Sequence, residues 1–446
     1  MTTAGFRQRL AHRTPFYYGW TIVFAAGSAM FVRNAAASLT LAVFMVPMSE
    51  DLGWSRTLLA GAASAAGIAA MFTSPVTGWL VDRFGPRAVL GGSAAVLGLS
   101  TMLIGWATVP LAFYVLFGIG RVIFSSPMQI GTATVVSQWF VARRGRATGM
   151  LGVSHSLGMG LLPLLAQILI NTAGWEAAWF WLGVTVWAVA LLPLWVLIIA
   201  RPEDVGLRPD GVQTNDDASS PAAPDTAASD AISGLTLREA ARTPALWLLG
   251  TAGGLLFFIH AGVNIHQAAF LRDQGIAPTV AAAALTVLAA GTGIGSMAWG
   301  MLVERFNGRL VYTGVAVWLA GVAPLFLLVD SAPRAFVVAA LFGVGLGGLL
   351  VVPPVVLADY FGRRSLGAIR GATEPFVGGG QAIGGLTAGL IYDVTGDYVA
   401  VFPILTGMAL MGAVLLALAR PPKLPSHDAP PPGATAAAVA DPATEA

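Results

Sequence analysis

Residues 78–87 read GWLVDRFGPR, and residues 300–309 read GMLVERFNGR. Each is a short polar interruption directly after a long apolar run, with a glycine, an acid–arginine pair, a second glycine and a final arginine in nearly the same register. One copy alone is what an ordinary short loop with flanking charges contains. Two copies at corresponding points make an internal repeat, and parallel repeats with a site between them are an architecture of membrane transporters. Gly78 lets another helix approach closely, Asp82 can accept from donors at a neighbouring helix end, and Gly85 permits a tight turn.

The rest of the chain fits that reading. Its 446 residues are 56% hydrophobic and only 10% charged, with a mean hydropathy of +0.75. A soluble domain carries roughly 25% charged residues, so this inventory cannot cover a water-facing surface. A net charge of +2 gives no reason to expect nucleic-acid binding, and with no cysteine there are neither disulfides nor thiolate metal ligands. The apolar run after the basic N-terminus is too long for a signal peptide and reads as an uncleaved first span.

A spanning helix needs about 20 mostly apolar residues. Runs of that kind lie near 17–48, 57–80, 88–108, 112–137, 147–171 and 177–200, and again near 245–271, 279–303, 310–329, 335–358, 368–391 and 398–419. The expected fold class is an all-α membrane protein with twelve transmembrane helices in two six-helix bundles. Its expected parts are a cytoplasmic N-terminus (1–16), an N-terminal bundle (17–200), a flexible Pro/Ala/Ser/Asp-rich linker (201–243), a C-terminal bundle (244–420) and a disordered tail (421–446). Placing the N-terminus inside puts Arg7–Arg13, Arg83–Arg87, Arg143–Arg146, Arg201–Arg242, Arg305–Arg309, Arg363–Arg370 and Arg420–Lys423 on the cytoplasmic side. Only Arg56, Arg272 and Arg334 remain outside. Both termini are thus expected in the cytoplasm, with the chain in the cell (inner) membrane, in contact with lipid and monomeric.

The intramembrane polar residues carry the substrate argument. Arg33 lies near the middle of the first span and Arg121, in GIGRVIFSSP, inside the fourth. Each is roughly 15 Å or more from the nearer helix end at 1.5 Å per residue, which strains a snorkelling reach. A guanidinium there costs about 3 kcal/mol on insertion scales and persists where it meets an anion or an internal partner. In the seventh span, FFIHAGVNIHQAAF, His260, Asn264 and Gln267 fall at i, i+4 and i+7 on one face, with His266 on another. In the eleventh, ATEPFVGGGQAIGG, Glu374 and Gln381 share a face. Glu374 is a candidate proton carrier, a static partner of an arginine, or a contact of the arginines in the preceding loop. His260 is the other candidate proton carrier. His155, Gln129 and Asn34 are weaker candidates.

Gly78, Asp82, Arg83, Gly85 and Arg87 resemble the loop signature of the major facilitator superfamily, and Gly300, Glu304, Arg305, Gly308 and Arg309 resemble its degenerate second copy. The resemblance implies a gating role at the cytoplasmic seam for Asp82, Arg83 and Arg87, and for Glu304 and Arg305. Further stretches resemble the monocarboxylate transporter family and its bacterial oxalate/formate antiporter-like branch: YYGWTIV from Tyr17, MSEDLGWSRTLLAG from Met48, QWFVARRGRATGMLGVSHSLG from Gln138 and YFGRRSLGAIRG from Tyr360. The chain departs from that family in an eighth span without charge and an eleventh carrying Glu374 rather than a base.

The expected function is therefore secondary transport of a small organic anion, a mono- or dicarboxylate, by alternating access and coupled to a proton. Arg33 and Arg121 would hold the carboxylate, His260, Asn264, Gln267 and Gln381 would line its site, and Glu374 or His260 would carry the proton. The alternatives are an exporter of drugs or other amphipathic compounds, a carboxylate exchanger, and a membrane sensor. No nucleophile–base or metal-ligand pattern suggests an enzyme, and no cofactor is expected.

Overall fold

The computed structural model describes residues 9, 11–210 and 234–422. The core of the linker (211–233), the tail from Lys423 onward, and residues 1–8 (with Arg7) and 10 lie outside the described residues. Among the described residues the chain is helical throughout, and ten helical runs are long and apolar enough to cross a membrane. One of these, residues 144–197, is two spans that meet at Gly174, whose φ of 84° turns the chain between them. A further helix, Leu366–Thr395, is rich in glycine and carries Arg370 and Glu374. That makes twelve: α1 (Gly19–Leu52), α2 (Arg56–Phe84), α3 (Pro86–Ile104), α4 (Pro110–Trp139), α5 (144–173), α6 (175–197), α7 (Pro244–Asp273), α8 (Pro278–Arg305), α9 (Gly308–Leu328), α10 (Ala332–Phe361), α11 (Leu366–Thr395) and α12 (Val401–Leu418).

Two hydrophobic cores form, one from residues between Ala11 and Val205 and one from residues between Leu235 and Ala419. The halves meet along two helix pairs, α5 against α8 and α2 against α11. Both pairings depend on glycine. A Cβ on Gly145 would lie 2.0 Å from the Gly300 carbonyl oxygen, and one on Gly78 would lie 2.2 Å from that of Gly367. Small residues at these points let the backbones touch, as membrane helix pairs require.

Two helices are broken where the chemistry sits. In α1, a 3₁₀ turn at Arg33–Ala36 gives way to an extended Ala37 before the helix restarts at Ser38. The hydroxyl of Thr40 donates to the Asn34 carbonyl oxygen at 2.7 Å, satisfying an acceptor exposed by the break. In α4, Pro127 lacks an N–H and the chain bends at Ser126, which frees carbonyls of the preceding turn for side-chain donors.

Candidate functional site

Arg33 is 3% exposed and occupies the break in α1. Its Nη1 donates to the Phe124 carbonyl oxygen at 3.0 Å, one of the acceptors freed by Pro127, and to Gln129 Oε1 in the first turn after the bend. Its Nη2 lies 3.3 Å from His155 Nδ1 on α5. Asn34 reaches the same imidazole nitrogen at 3.1 Å and also donates to the His155 carbonyl oxygen at 3.2 Å. Residues rated weaker from the sequence, His155, Gln129 and Asn34, are therefore the immediate partners of Arg33. The one local signal for them was the Ser-Ser-Pro that interrupts α4 just before Gln129.

Arg121 approaches from α4. Its guanidinium carbon stands 4.5 Å from the Phe124 ring centroid, and that of Arg33 stands 4.4 Å from the same centroid. One aromatic ring thus carries two cations, which lie within about 9 Å of each other. Cation–π contact stabilises each by about 0.5–2 kcal/mol, without neutralising either. Neither arginine forms an ion pair with an acid among the described residues, and Arg121 makes no hydrogen bond to protein there. Unpaired cations at this depth require a mobile anion or a strong reason to stay dry.

The C-terminal half faces them with α7 and α11. His260 Nε2 lies 3.0 Å from Asn264 Nδ2. Both line a small gap of about 30 Å³ between the halves, together with His155, Met159, Phe257 and Thr292. Gln267 is not in that lining: it is 2% exposed, and neither amide atom has a protein partner. Gln381 is half-buried and makes no polar contact among the described residues. His266, on the other face of α7, donates from Nε2 to the Gly385 carbonyl oxygen at 3.0 Å and accepts at Nδ1 from the Tyr398 hydroxyl at 3.1 Å, a structural tie within its own half.

Glu374 stands beside an arginine, Nε of Arg370 lying 3.6 Å from its carboxylate. This corrects two expectations. Arg370 is not a loop residue but a buried side chain of α11, 6% exposed, so the eleventh helix does carry a base. Around this cluster of α1, α4 and α11 the described charged groups are then three arginines, Arg33, Arg121 and Arg370, against Glu374. The sequence misled because a basic residue near a loop looks the same whether it turns outward or inward.

A larger hollow lies elsewhere. It spans about 850 Å³ between α2, α3 and α4 and is lined mainly by apolar side chains such as Ala62, Ala66, Ala69 and Val96, with Thr77, Ser93 and Tyr114 its polar members. It holds none of the polar residues described above and has no chemistry to orient a charged substrate.

At the end of the bundles that carries the basic loops, the halves are clasped by polar bonds. Asp82 accepts from the backbone N–H groups of Gly367 and Ala368, at 3.0 and 2.7 Å, at the start of α11. Glu304 accepts from the backbone and Nε of Arg146, both at 2.6 Å, at the start of α5. Arg144 pairs with Asp359, and Arg363 with Glu203 at 3.1 Å and with Gln138. Gly85, at φ 80°, turns the chain between α2 and α3.

The arginines of the repeat lie outside this clasp. Arg83 is exposed and stacks on Trp79 and Phe84 at 5.5 and 5.8 Å, and Arg87 donates to the Trp195 carbonyl oxygen at 3.0 Å within the same half. Arg305 is exposed and makes no polar contact among the described residues. The inter-half bonds come instead from Arg144, Arg146 and Arg363. Tyr17, from YYGW, donates its hydroxyl to the carbonyl oxygens of Trp139 and Arg208 at 2.7 and 3.1 Å, tying the first helix to this end. Burial, reinforced by nearby Asp210, raises its pKa above the ordinary tyrosine value.

The chain belongs to the Major Facilitator Superfamily, whose family model matches residues 21–271 and 260–444. It is a multi-pass membrane transporter, not an enzyme. Among its relatives, the oxalate:formate antiporter of Oxalobacter formigenes is 27% identical over 331 residues, 71% of each chain. Monocarboxylate transporter 13 of Rattus norvegicus is 27% identical over 411 residues, covering 90% of this chain and 88% of the relative. The crystal structure of the human organic anion transporter MFSD10 superposes with a TM-score of 0.69 at 16% identity, covering 91% of this chain and all of that one, and so shares its fold.

Proposed function

We propose that this protein moves a small organic anion, a mono- or dicarboxylate, across the cell membrane by alternating access, coupled to a proton. The observation that carries the reading is the pair of guanidinium groups on the Phe124 ring, Arg33 buried and Arg121 half-buried, neither ion-paired with an acid among the described residues. A carboxylate supplies two acceptor oxygens in the plane a guanidinium prefers. The relatives named for oxalate, formate and monocarboxylates support the same substrate class. The bundles 17–200 and 244–420 rock as units around this point, with the basic end and both termini in the cytoplasm of a monomer in the inner membrane. With Asp82, Glu304, Arg144 and Arg363 engaged, the arrangement described is the one closed toward the cytoplasm. Glu374, His260 and His155 are the groups available to carry the proton.

Export of cationic amphipathic compounds would call for unpaired acid facing the cavity, whereas Glu374 already has Arg370 beside it. The deciding experiment is uptake of radiolabelled lactate, formate, oxalate and succinate into proteoliposomes, with and without an inward proton gradient. Accumulation of one of these that disappears in both Arg33→Gln and Arg121→Gln proteins is the expected result. Uptake that persists unchanged in both variants removes the anion site from these residues.

A further inference from the structure

His155 Nδ1 has two neighbours, Arg33 Nη2 at 3.3 Å and Asn34 Nδ2 at 3.1 Å. A guanidinium only donates. The Asn34 amide nitrogen is identified by its other contacts, the carbonyl oxygens of Met30 and Phe31, which only accept. The guanidinium therefore donates to Nδ1, so that lone pair is occupied and the neutral ring carries its proton on Nε2, whereas the two N–H groups of Asn34 are shared among Nδ1 and the carbonyl oxygens of Met30, Phe31 and His155. A proton arriving at Nδ1 turns this acceptor into a donor. It takes that acceptor from Arg33 Nη2, while Asn34 keeps the carbonyl oxygens of Met30, Phe31 and His155, and it sets a second cation against Arg33.

We propose that His155 Nδ1 is the proton site of the transport cycle, coupled to anion binding through Arg33. The inference rests on the anion reading given above and names the atom that links the two ions. An incoming carboxylate replaces Nδ1 as the acceptor for Arg33 and accepts in turn from the newly protonated ring. Proton and carboxylate enter as a neutral pair, so the charge of the cavity is the same before and after loading. By linkage, the anion raises proton affinity at His155 by the factor by which the proton raises anion affinity.

The surroundings single out this residue. The charged and titratable groups that face it are Arg33 from α1, Arg121 from α4 across the Phe124 ring, and His260 from α7, while Arg370 and Glu374 of α11 act on Arg33 beyond it. The helices α8 and α10 bring only Thr292, Leu346, Leu349 and Leu350 to the intervening gap. His260 is bonded to Asn264, not to an arginine, so its protonation leaves the partners of Arg33 unchanged. Protonating Glu374 would strip Arg370 of its adjacent acid. Among the titratable groups of the described residues, His155 alone shares an atom-to-atom bond with Arg33.

The test uses purified full-length protein and binding of lactate and oxalate between about pH 6 and about pH 8, a range that spans histidine titration. In the wild type the apparent affinity of the bound acid falls with rising pH, by up to about tenfold per unit for a one-proton link. In His155→Gln, which keeps an acceptor but cannot take a proton, the acid still binds and the slope flattens to within about twofold. His260→Gln keeps the wild-type slope. A slope that survives in His155→Gln, or one that vanishes in His260→Gln instead, overturns the assignment while leaving the anion site standing.

If neither acid binds the wild type at any pH, the anion reading falls and takes this one with it. Should His155→Gln not fold, the wild type with isotope-labelled histidine rings gives the answer by NMR. One imidazole then changes protonation state on adding the acid, and no such change overturns the proposal.

Discussion

Asp82 and Glu304 hold equivalent places in the two halves, and each carboxylate accepts N–H bonds at the start of the fifth helix of the opposite half. The glycines beneath them repeat the relation, Gly78 against Gly367 and Gly300 against Gly145. An acid at a helix N-terminus is favoured by the exposed N–H groups and the helix dipole. The internal repeat of the sequence is thus a repeat of one physical device, used twice and crossed between the bundles.

Removing the charge weakens this clasp. Asp82→Asn and Glu304→Gln each forfeit about 1–2 kcal/mol of charge-assisted bonding, which shifts the ratio of clasped to open protein at this end by roughly 5–30-fold toward open. The chain has no native cysteine, so single cysteines at this end report the change as faster labelling by a membrane-impermeant maleimide applied to the side that carries the basic loops. Labelling rates unchanged in both variants would show that these bonds do not hold the closed state.

Substituting the glycines acts on the same equilibrium by sterics. Gly145→Ala puts a methyl 2.0 Å from the Gly300 carbonyl oxygen, a backbone atom that cannot rotate away. The closed seam must then separate. Spin-label distances across the α5–α8 seam are expected to lengthen in Gly145→Ala and stay at wild-type values in Gly92→Ala, where an added Cβ meets nothing within 4 Å.

How much of this was legible beforehand follows from what each feature depends on. The twelve spans rest on local apolarity and were readable, and the Asp82–Glu304 repeat was visible because both copies sit in short polar loops. The partners of Arg33 were not, since His155 is 122 residues away and only the packing of α1 on α5 brings them together. Arg370 was misplaced because charge near a helix end does not reveal which way the side chain turns. Arg83 and Arg87 matched a motif, yet their geometry keeps them in their own half, and the inter-half bonds fell to arginines whose sequence cue was merely a basic cluster.

Alkaline titration of Tyr17 offers a check outside the membrane. Its folded-state pKa lies above the unfolded value near 10, mainly through burial and then through Asp210. The folded protein therefore holds this proton more tightly than the unfolded chain, so the contribution to stability is intact below about pH 10 and is lost as pH rises past it. Tyr17→Phe removes that ionisation together with the bonds to Trp139 and Arg208. Its melting temperature should be lower than wild type at neutral pH, with the gap narrowing as the solution is made strongly alkaline. A gap that stays constant with pH would contradict the assignment.

The ring shared by the two arginines gives the sharpest separation of substrate binding from folding. Phe124→Leu keeps an apolar side chain in a half-buried position and leaves the Phe124 carbonyl bond to Arg33 in place, because that bond belongs to the backbone. What it removes is the face on which both guanidinium groups rest. With cation–π contacts of about 0.5–2 kcal/mol each, the arginines lose pre-organisation, and affinity for the transported acid should drop by roughly tenfold. The melting temperature without ligand should move by only a few degrees. Arg121→Lys provides the companion measurement, since it keeps the charge and loses the planar stacking surface, and its affinity should fall to a similar level. If Phe124→Leu instead binds and transports as wild type while Arg121→Lys is inactive, the aromatic ring is packing alone, and Arg121 acts through a contact made only with substrate present.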